Sequence, residues 1–322
     1  KLNLLYNHQV NFSNLSPDRL LILCGEFNKN LKQIEKALKI KVAQNGASFK
    51  ISGNQKEVGI AVNALQDLKE KIELDSMITP DVVHLSLHTA KFSEEDNTND
   101  APQIKTPRVV ISPRGKNQNE YLNNIKSSDL TFGIGPSGTG KTFLAVACAV
   151  DDLLTEKIKK IVLVRPAVEA GEKLGFLPGD LSSKIDPYLR PLYDSLHDML
   201  GAERVNRLVD RDVIEIAPLA YMRGRTLREA FIIMDEGQNT TIEQMKMFLT
   251  RLGFGSKAVV NGDLSQIDLQ KNITSGLKHA INVLGTLKSI KVTKFGAKDV
   301  VRHSLVQEIV EAYDKFDESE KL

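Results

Sequence analysis

Gly135-Pro136-Ser137-Gly138-Thr139-Gly140-Lys141-Thr142 restricts what this chain can fold into more than any other stretch. It follows the apolar run Leu130–Ile134 and leads into the apolar residues 143–150, so a strand, a glycine-rich loop and a helix are expected in that order. In that setting Gly-x-x-x-x-Gly-Lys-Thr wraps phosphates. Its glycines let the backbone approach closely and aim N–H groups at an anion from the positive end of a helix. Lys141 adds a point charge for the β- and γ-phosphates, and the Thr142 hydroxyl is placed to ligate Mg²⁺. The bare pattern arises by chance in roughly 1 in 100 chains of this length. From residue 107 onward strands alternate with helices, which predicts an α/β fold with a parallel sheet covered on both faces.

A second element should hold the metal and activate water. Phe231-Ile232-Ile233-Met234-Asp235-Glu236 reads as a buried strand ending in two carboxylates. Asp235 is placed to reach the Mg²⁺ shell, and Glu236 to polarise the attacking water. The loops capping these two strands are expected to grip a magnesium triphosphate together, from neighbouring strands. A third strand, at 258–260, ends in Asn261-Gly262-Asp263-Leu264-Ser265-Gln266. A polar strand tip is where an open α/β sheet binds ligand, so Gln266 is a candidate sensor of the γ-phosphate, oriented by Asp263. A plain Asn-Gly-Asp turn accounts for the same residues. Thr240 and Glu243 match a capping box for a helix with a stripe of Ile242, Met245, Leu249 and Leu252, ended by Gly253.

The 322 residues suggest two domains, and 43 Lys+Arg against 41 Asp+Glu leave a net charge of +2, so any nucleic-acid signal must be local. Apolar residues at 41% and charged residues at 26% exclude global disorder. No apolar run approaches the ~20 residues of a membrane-spanning helix, and no secretory leader pattern opens the chain, so no membrane partner is expected. Two cysteines, Cys24 and Cys148, cannot build a disulfide framework or a closed zinc site, which favours a cytoplasmic setting.

Charge is uneven along the first third. Residues 29–50 hold Lys29, Lys32, Lys36, Lys39, Lys41 and Lys50 against Glu35 alone, a local +5 (6 − 1). The polar, acidic, proline-bearing residues 93–107 have almost nothing to bury and read as a linker between a domain at 1–92 and one at 108–322. Within the first domain, residues 20–24 suit a short buried strand. Leu31, Ile34 and Leu38 mark a helix, and a hairpin follows around Asn45-Gly46. Asn54 and Glu57 then resemble a capping box before a helix faced by Val58, Ala61, Val62, Leu65, Leu68 and Ile72. The order strand, helix, hairpin, helix, with a basic first helix after a glycine loop, resembles a small α+β KH-like RNA-binding module. Its Gly-x-x-Gly loop is here Gly25-Glu26-Phe27-Asn28, lacking the second glycine and carrying an opposing charge. RNA contact through Lys29, Lys32, Lys36 or Lys39 is the functional reading; a lysine-rich solvated face is the plain one.

Taken together, the motifs of the second domain resemble the PhoH-like family, ATPases similar to the first RecA-like domain of superfamily-one helicases. The resemblance runs from about Arg114 to Tyr313. It is carried by Lys116-Asn117-Gln118-Asn119-Glu120-Tyr121, the P-loop, Leu163-Val164-Arg165-Pro166-Ala167 and Leu174-Gly175-Phe176-Leu177-Pro178-Gly179-Asp180. Tyr221-Met222-Arg223-Gly224-Arg225-Thr226, Asp235-Glu236-Gly237-Gln238-Asn239, Gly262-Asp263-Leu264-Ser265-Gln266 and Val301-Arg302-His303 complete it. It implies a three-layer RecA-like core, with Gln118 reading the adenine edge and Tyr121 stacking nearby. Arg302, on a helix striped by Val301, Leu305, Val306, Ile309 and Val310, is implied as an arginine finger, with Arg223 and Arg225 as alternatives. Arg165 falls where helicases contact nucleic acid. No guanine-reading string is present, so ATP is favoured over GTP.

About 55 residues follow Gln266, too few for a second RecA-like domain. A homo-oligomeric ring, each subunit completing its neighbour's site, is therefore expected instead of a monomeric helicase. The implied activity is Mg²⁺-dependent ATP hydrolysis acting on RNA or ribonucleoprotein. A nucleotide-gated adaptor without turnover and a small-molecule kinase stay open.

Overall fold

Strands buried at every position must be covered on both faces, and two such runs, 130–134 and 230–234, set the architecture of the larger unit. The computed structural model describes residues 6–73, 77–93, 102–166, 181–270 and 272–300, with 306 and 309, and side chains of 181–188 are outside that description. Two compact units divide within 94–101.

In the first unit the elements are β1 (Tyr6–Asn11), α1 (Pro17–Cys24), α2 (Lys29–Leu38), β2 (Lys41–Asn45), β3 (Ser48–Gly53), α3 (Gln55–Glu73) and α4 (Pro80–Ser93). The three strands are antiparallel in the order β1-β3-β2, and the helices bury Leu23, Ile34, Leu65 and Leu68 in one core with Phe49 and Ile51 of β3.

Residues 20–24 are helical, not a strand. Ser16 accepts the Arg19 N–H at the N-cap, Pro17 opens the helix and Asp18 sits in its first turn, three start signals that outweigh five apolar residues. Leu23 and Cys24 are buried while Leu21 and Ile22 are exposed, a one-sided pattern. The hairpin forms as expected, with Gly46 at φ 57 in its loop and Asn45 already in the strand. At α3 the Asn54 side chain accepts from Lys56 N–H, so the cap is made without the expected Glu57 partnership.

In the second unit a short antiparallel pair, β4 (Ile104–Lys105) and β5 (Val110–Ile111), precedes α5 (Lys116–Ser127). Ile104 is fully buried, so the tail of the expected 93–107 linker belongs to the core instead. Next come β6 (Leu130–Ile134), α6 (Lys141–Leu154), β7 (Lys160–Arg165), α7 (Leu181–Leu200), α8 (Ala202–Asp210), β8 (Ile214–Pro218), β9 (Ala230–Met234), α9 (Ile242–Leu249), β10 (Lys257–Gly262), α10 (Gly276–Leu284) and β11 (Ile290–Lys294). The six-stranded sheet is parallel throughout, ordered β11-β6-β10-β9-β7-β8.

One face of the sheet carries α5, α6, α7 and α8 over Phe231, Ile233 and Val259; the other carries α9 and α10 over Phe132, Ile232 and Val260. This is the three-layer RecA-like arrangement. One expectation about it fails: β6 and β9 are not neighbours, because β10 lies between them. The α9 cap is also one residue later than expected, Thr241 pairing reciprocally with Gln244. Met245 and Phe248 are its buried residues, and the helix stops at Leu249, before Gly253. No helix among the described residues is long and apolar enough to cross a membrane.

Candidate nucleotide site

The carboxyl ends of β6, β7, β9 and β10 converge on a cleft of about 390 Å³. The loop 135–140 joins β6 to the start of α6, and the backbone takes positive φ at Gly135, Gly138 and Gly140. At Gly135 the geometry requires glycine twice over: φ is +151, and an added Cβ would lie 2.5 Å from the Phe295 carbonyl oxygen. Ser137, Gly138, Gly140, Lys141 and Thr142 all face the cleft. Thr139 is buried and its hydroxyl donates to Pro136 O, closing the loop on itself. Lys141 is 8% exposed and donates to Gly135 O at 2.7 Å and Pro136 O at 2.8 Å. Burial pulls its ammonium pKa below the usual lysine range, while Asp263, Asp235 and Glu236 oppose that. Three carboxylates thus offset part of the desolvation of a buried cation.

Thr142 donates to Asp235 Oδ1 at 2.7 Å, which ties the P-loop to the end of β9 across the intervening strand. Asp235 is buried, and desolvation raises its carboxyl pKa, with the Glu236 charge adding to the shift and Thr142, Arg165 and Lys141 opposing it. This pair supplies only oxygen donors, the chemistry that suits Mg²⁺. Among the described residues no group of three or more His, Cys, Asp and Glu forms a cage, so a divalent ion here would need phosphate oxygens as well. Magnesium characteristically binds that way.

Glu236 stands one residue on with a left-handed backbone, φ 54. Such strain in a non-glycine residue persists only where its surroundings enforce it. Arg165, at the end of β7, donates to Glu236 Oε1 at 2.9 Å and lies 3.9 Å from Asp235 Oδ2. Gln238 donates to Glu236 Oε2 at 2.6 Å, so both oxygens are engaged.

Gln238, which motif reading assigned no role, is fully buried and bonds in three directions. Besides Glu236 it donates to Gln266 O at 3.1 Å and accepts from Asp263 N–H at 3.0 Å. It links the turn after β9 to the loop after β10. Its one signal in the sequence is a polar residue inside a string of otherwise explicable ones. Asp263 Oδ1 accepts from the Ser265 backbone and hydroxyl, whereas buried Oδ2 has no partner among the described residues. Gln266 lines the cleft, exposed. The helix α7 also contributes Pro191 and Ser195 to the lining, which no motif announces.

Other expected residues are placed differently. Gln118 is 6% exposed and spends its amide within the protein, accepting from Arg114 N–H at 2.8 Å and donating to Thr139 O at 2.9 Å. It braces the P-loop. Tyr121 is fully buried, its hydroxyl on Asn261 and its ring edge-on to Phe295, so it is a core residue with no face for a base to stack on. Arg225 clasps both oxygens of Glu215, one at 2.8 Å, with Lys160 on the same carboxylate, which makes it structural and no finger. Arg223 is exposed. Arg302 and residues 167–180 lie outside the described residues; of the stripe expected after Arg302 only Val306 and Ile309 are described, and both are helical but exposed instead of core.

The profile of the family described as "PhoH-like protein" matches residues 110–314. A PhoH-like protein of Bacillus subtilis is 50% identical over 309 residues, covering 93% of this chain and 95% of that one. A PhoH-like protein of Mycobacterium tuberculosis is 47% identical over 309 residues, 94% of this chain and 87% of its own. Protein PhoH of Escherichia coli is 43% identical over 205 residues, 63% of this chain and 58% of that protein. Among solved structures, the SWI2/SNF2 ATPase core of Sulfolobus solfataricus in complex with dsDNA covers 51% of this chain and 34% of its own at 12% identity. Its TM-score is 0.34, a likeness too loose to carry an argument.

Proposed function

The chain belongs to the PhoH-like family, and from that premise we propose that this P-loop nucleotide-binding protein is a Mg²⁺-dependent ATPase acting on RNA or ribonucleoprotein. One observation carries the reading: Thr142 in the first turn of α6 and Asp235 at the end of β9 meet at 2.7 Å, with Glu236 adjoining. Backbone N–H groups of residues 137–142 hold the phosphates, and Lys141 leaves its loop carbonyls for the β and γ oxygens. Thr142 and Asp235 would hold Mg²⁺, which would supply positive charge beside the phosphate oxygens. Glu236 accepts a proton from the attacking water, and Gln266 orients that water.

Both Glu236 oxygens are taken by Arg165 and Gln238. This favours slow basal turnover that rises when a partner draws Arg165 away. It also keeps the adaptor reading alive, for a site whose base is never released would bind without splitting. The lysines of α2, none ion-paired among the described residues, support an RNA partner. Arg165 is the sole arginine lining the cleft among the described residues and is committed to the carboxylates, which supports a ring in which a neighbour supplies the finger. Two free, buried cysteines, Cys24 and Cys148, support a cytoplasmic protein. Phosphate release from Mg-ATP, measured with and without structured RNA, tests the reading. Absence of release in both, with nucleotide bound, would leave the adaptor.

A further inference from the structure

The first unit spends stability at one loop in two ways at once. Phe27, between α1 and α2, has a left-handed backbone (φ 52), as does Asn28 (φ 59), a conformation disfavoured for a bulky residue. Its ring is 91% exposed. A chain optimised for folding alone would avoid both. The loop is nevertheless firmly held. Asn30 is buried and its amide donates to Ile22 O at 3.2 Å and Leu23 O at 3.1 Å, tying the start of α2 to the end of α1. Gly25 closes α1 by donating to Leu21 O. Strain that persists because its surroundings fix it points to function.

The neighbourhood says what the ring meets. Leu21 and Ile22 on α1 are 68% and 47% exposed. On α2, Lys29, Lys32 and Lys36 fall within about 60° of one another around the helix axis at 100° per residue, one stripe beginning two residues after Phe27, and Lys39 follows at the C-cap with a left-handed backbone. All four are exposed and none is ion-paired among the described residues. Glu35 is tied back onto Val42 N–H at 2.8 Å, leaving Glu26 as the opposing charge of the loop.

We propose that Phe27 is a stacking platform for an unpaired base of single-stranded RNA whose backbone runs along the lysine stripe. An exposed aromatic beside a row of unneutralised cations is how proteins hold single strands, since every base has a face to stack and every nucleotide a phosphate. A purely apolar partner would not need the four lysines. A duplex offers no free base face, and unstacked bases are what single-stranded RNA presents. The inference rests on the RNA partner proposed above and not on hydrolysis.

The full chain without nucleotide is titrated against a fluorescein-labelled 12-mer single-stranded RNA, with single-stranded DNA and duplex RNA of equal length as further arms. Phe27→Ala is expected to weaken RNA binding by about 5- to 140-fold, the ~1–3 kcal/mol of one stack converted at 1.4 kcal/mol per tenfold, while Phe27→Trp restores it. Lys32→Gln with Lys36→Gln should flatten the dependence of log K on log salt by about 1.4, or 0.7 per phosphate contact. ATP turnover without RNA, in the same Phe27→Ala preparation, should stay at the wild-type level, which separates this inference from the ATPase reading. Equal affinity of wild type and Phe27→Ala for RNA would overturn it. So would equal binding of duplex and single strand, preference for DNA, or a Phe27-dependent protein partner with no RNA bound.

Discussion

Glu236→Gln keeps the shape of the side chain and removes its charge, so the surrounding bonds fix what it costs. The carboxylate accepts from Arg165 on one oxygen and from Gln238 on the other. A glutamine has one acceptor to offer. With its oxygen toward Arg165, its NH₂ faces the Gln238 NH₂; turned over, its NH₂ faces the guanidinium. Gln238 cannot flip in compensation, because its oxygen would then oppose Gln266 O and its NH₂ the Asp263 N–H. One charge-assisted bond is lost in every arrangement, about 1.5–3 kcal/mol. The 37% exposed side chain admits water, which holds the cost near ~1.5 kcal/mol and the fall in Tm to roughly 3–6 °C for a unit of this size. Against that modest loss, removing the general base should slow turnover by ~10²–10⁴-fold, or roughly 2.7–5.4 kcal/mol on the barrier. The assay is phosphate release at saturating Mg-ATP, beside nucleotide affinity and Tm. A kcat near wild type would refute the role given to Glu236; a loss of ATP affinity in step with kcat would recast it as a structural residue.

Further outcomes follow from the same geometry. Lys141→Ala should weaken Mg-ATP binding by at least about tenfold, the loss of one charge-assisted contact, and unchanged affinity in calorimetric titration would count against the P-loop site. Tyr121→Phe should cost ~1–3 kcal/mol by stripping buried Asn261 of its partner, lowering Tm by roughly 2–12 °C; a thermal melt unchanged from wild type would argue that the pair is immaterial. Glu215 is held at about 2, below its usual 4.5, first by hydrogen bonds from Arg225 and then by Lys160. A depressed folded pKa means stability present above pH 4.5 and lost as pH falls toward 2. The gap between wild type and Glu215→Gln in urea melts should therefore shrink from pH 7 to pH 3, and a constant gap would contradict the pairing.

The nucleotide loop was legible because its signal is local: an apolar run, glycines at forced backbone angles and a lysine, all within thirteen residues. The same holds for β9 and its two acids. The reading of residues 20–24 as a strand failed because five apolar residues fit either period, and the deciding Ser16 and Pro17 stand outside the run. Tyr121 was assigned to a ligand because its neighbour Gln118 suggested one; only the packing of Asn261 and Phe295, 140 and 174 positions away, makes it core. The Arg165–Glu236 contact spans 71 positions and leaves no trace in spacing. Nor does strand order follow from strand identity, which is why β10 was not expected between β6 and β9.

The segments after β9 and β10 are sewn together well beyond Gln238. Asn239 and Asp268 exchange two hydrogen bonds, at 2.8 and 3.3 Å, and Gly276 N–H reaches Thr240 O at 2.7 Å where α10 begins. Stitches this frequent turn two loops into one stiff plate, fastened to a helix at its far edge. Under the proposed function, any change at the terminal phosphate that moved Glu236 would therefore be felt at Gln266 and at the start of α10 together.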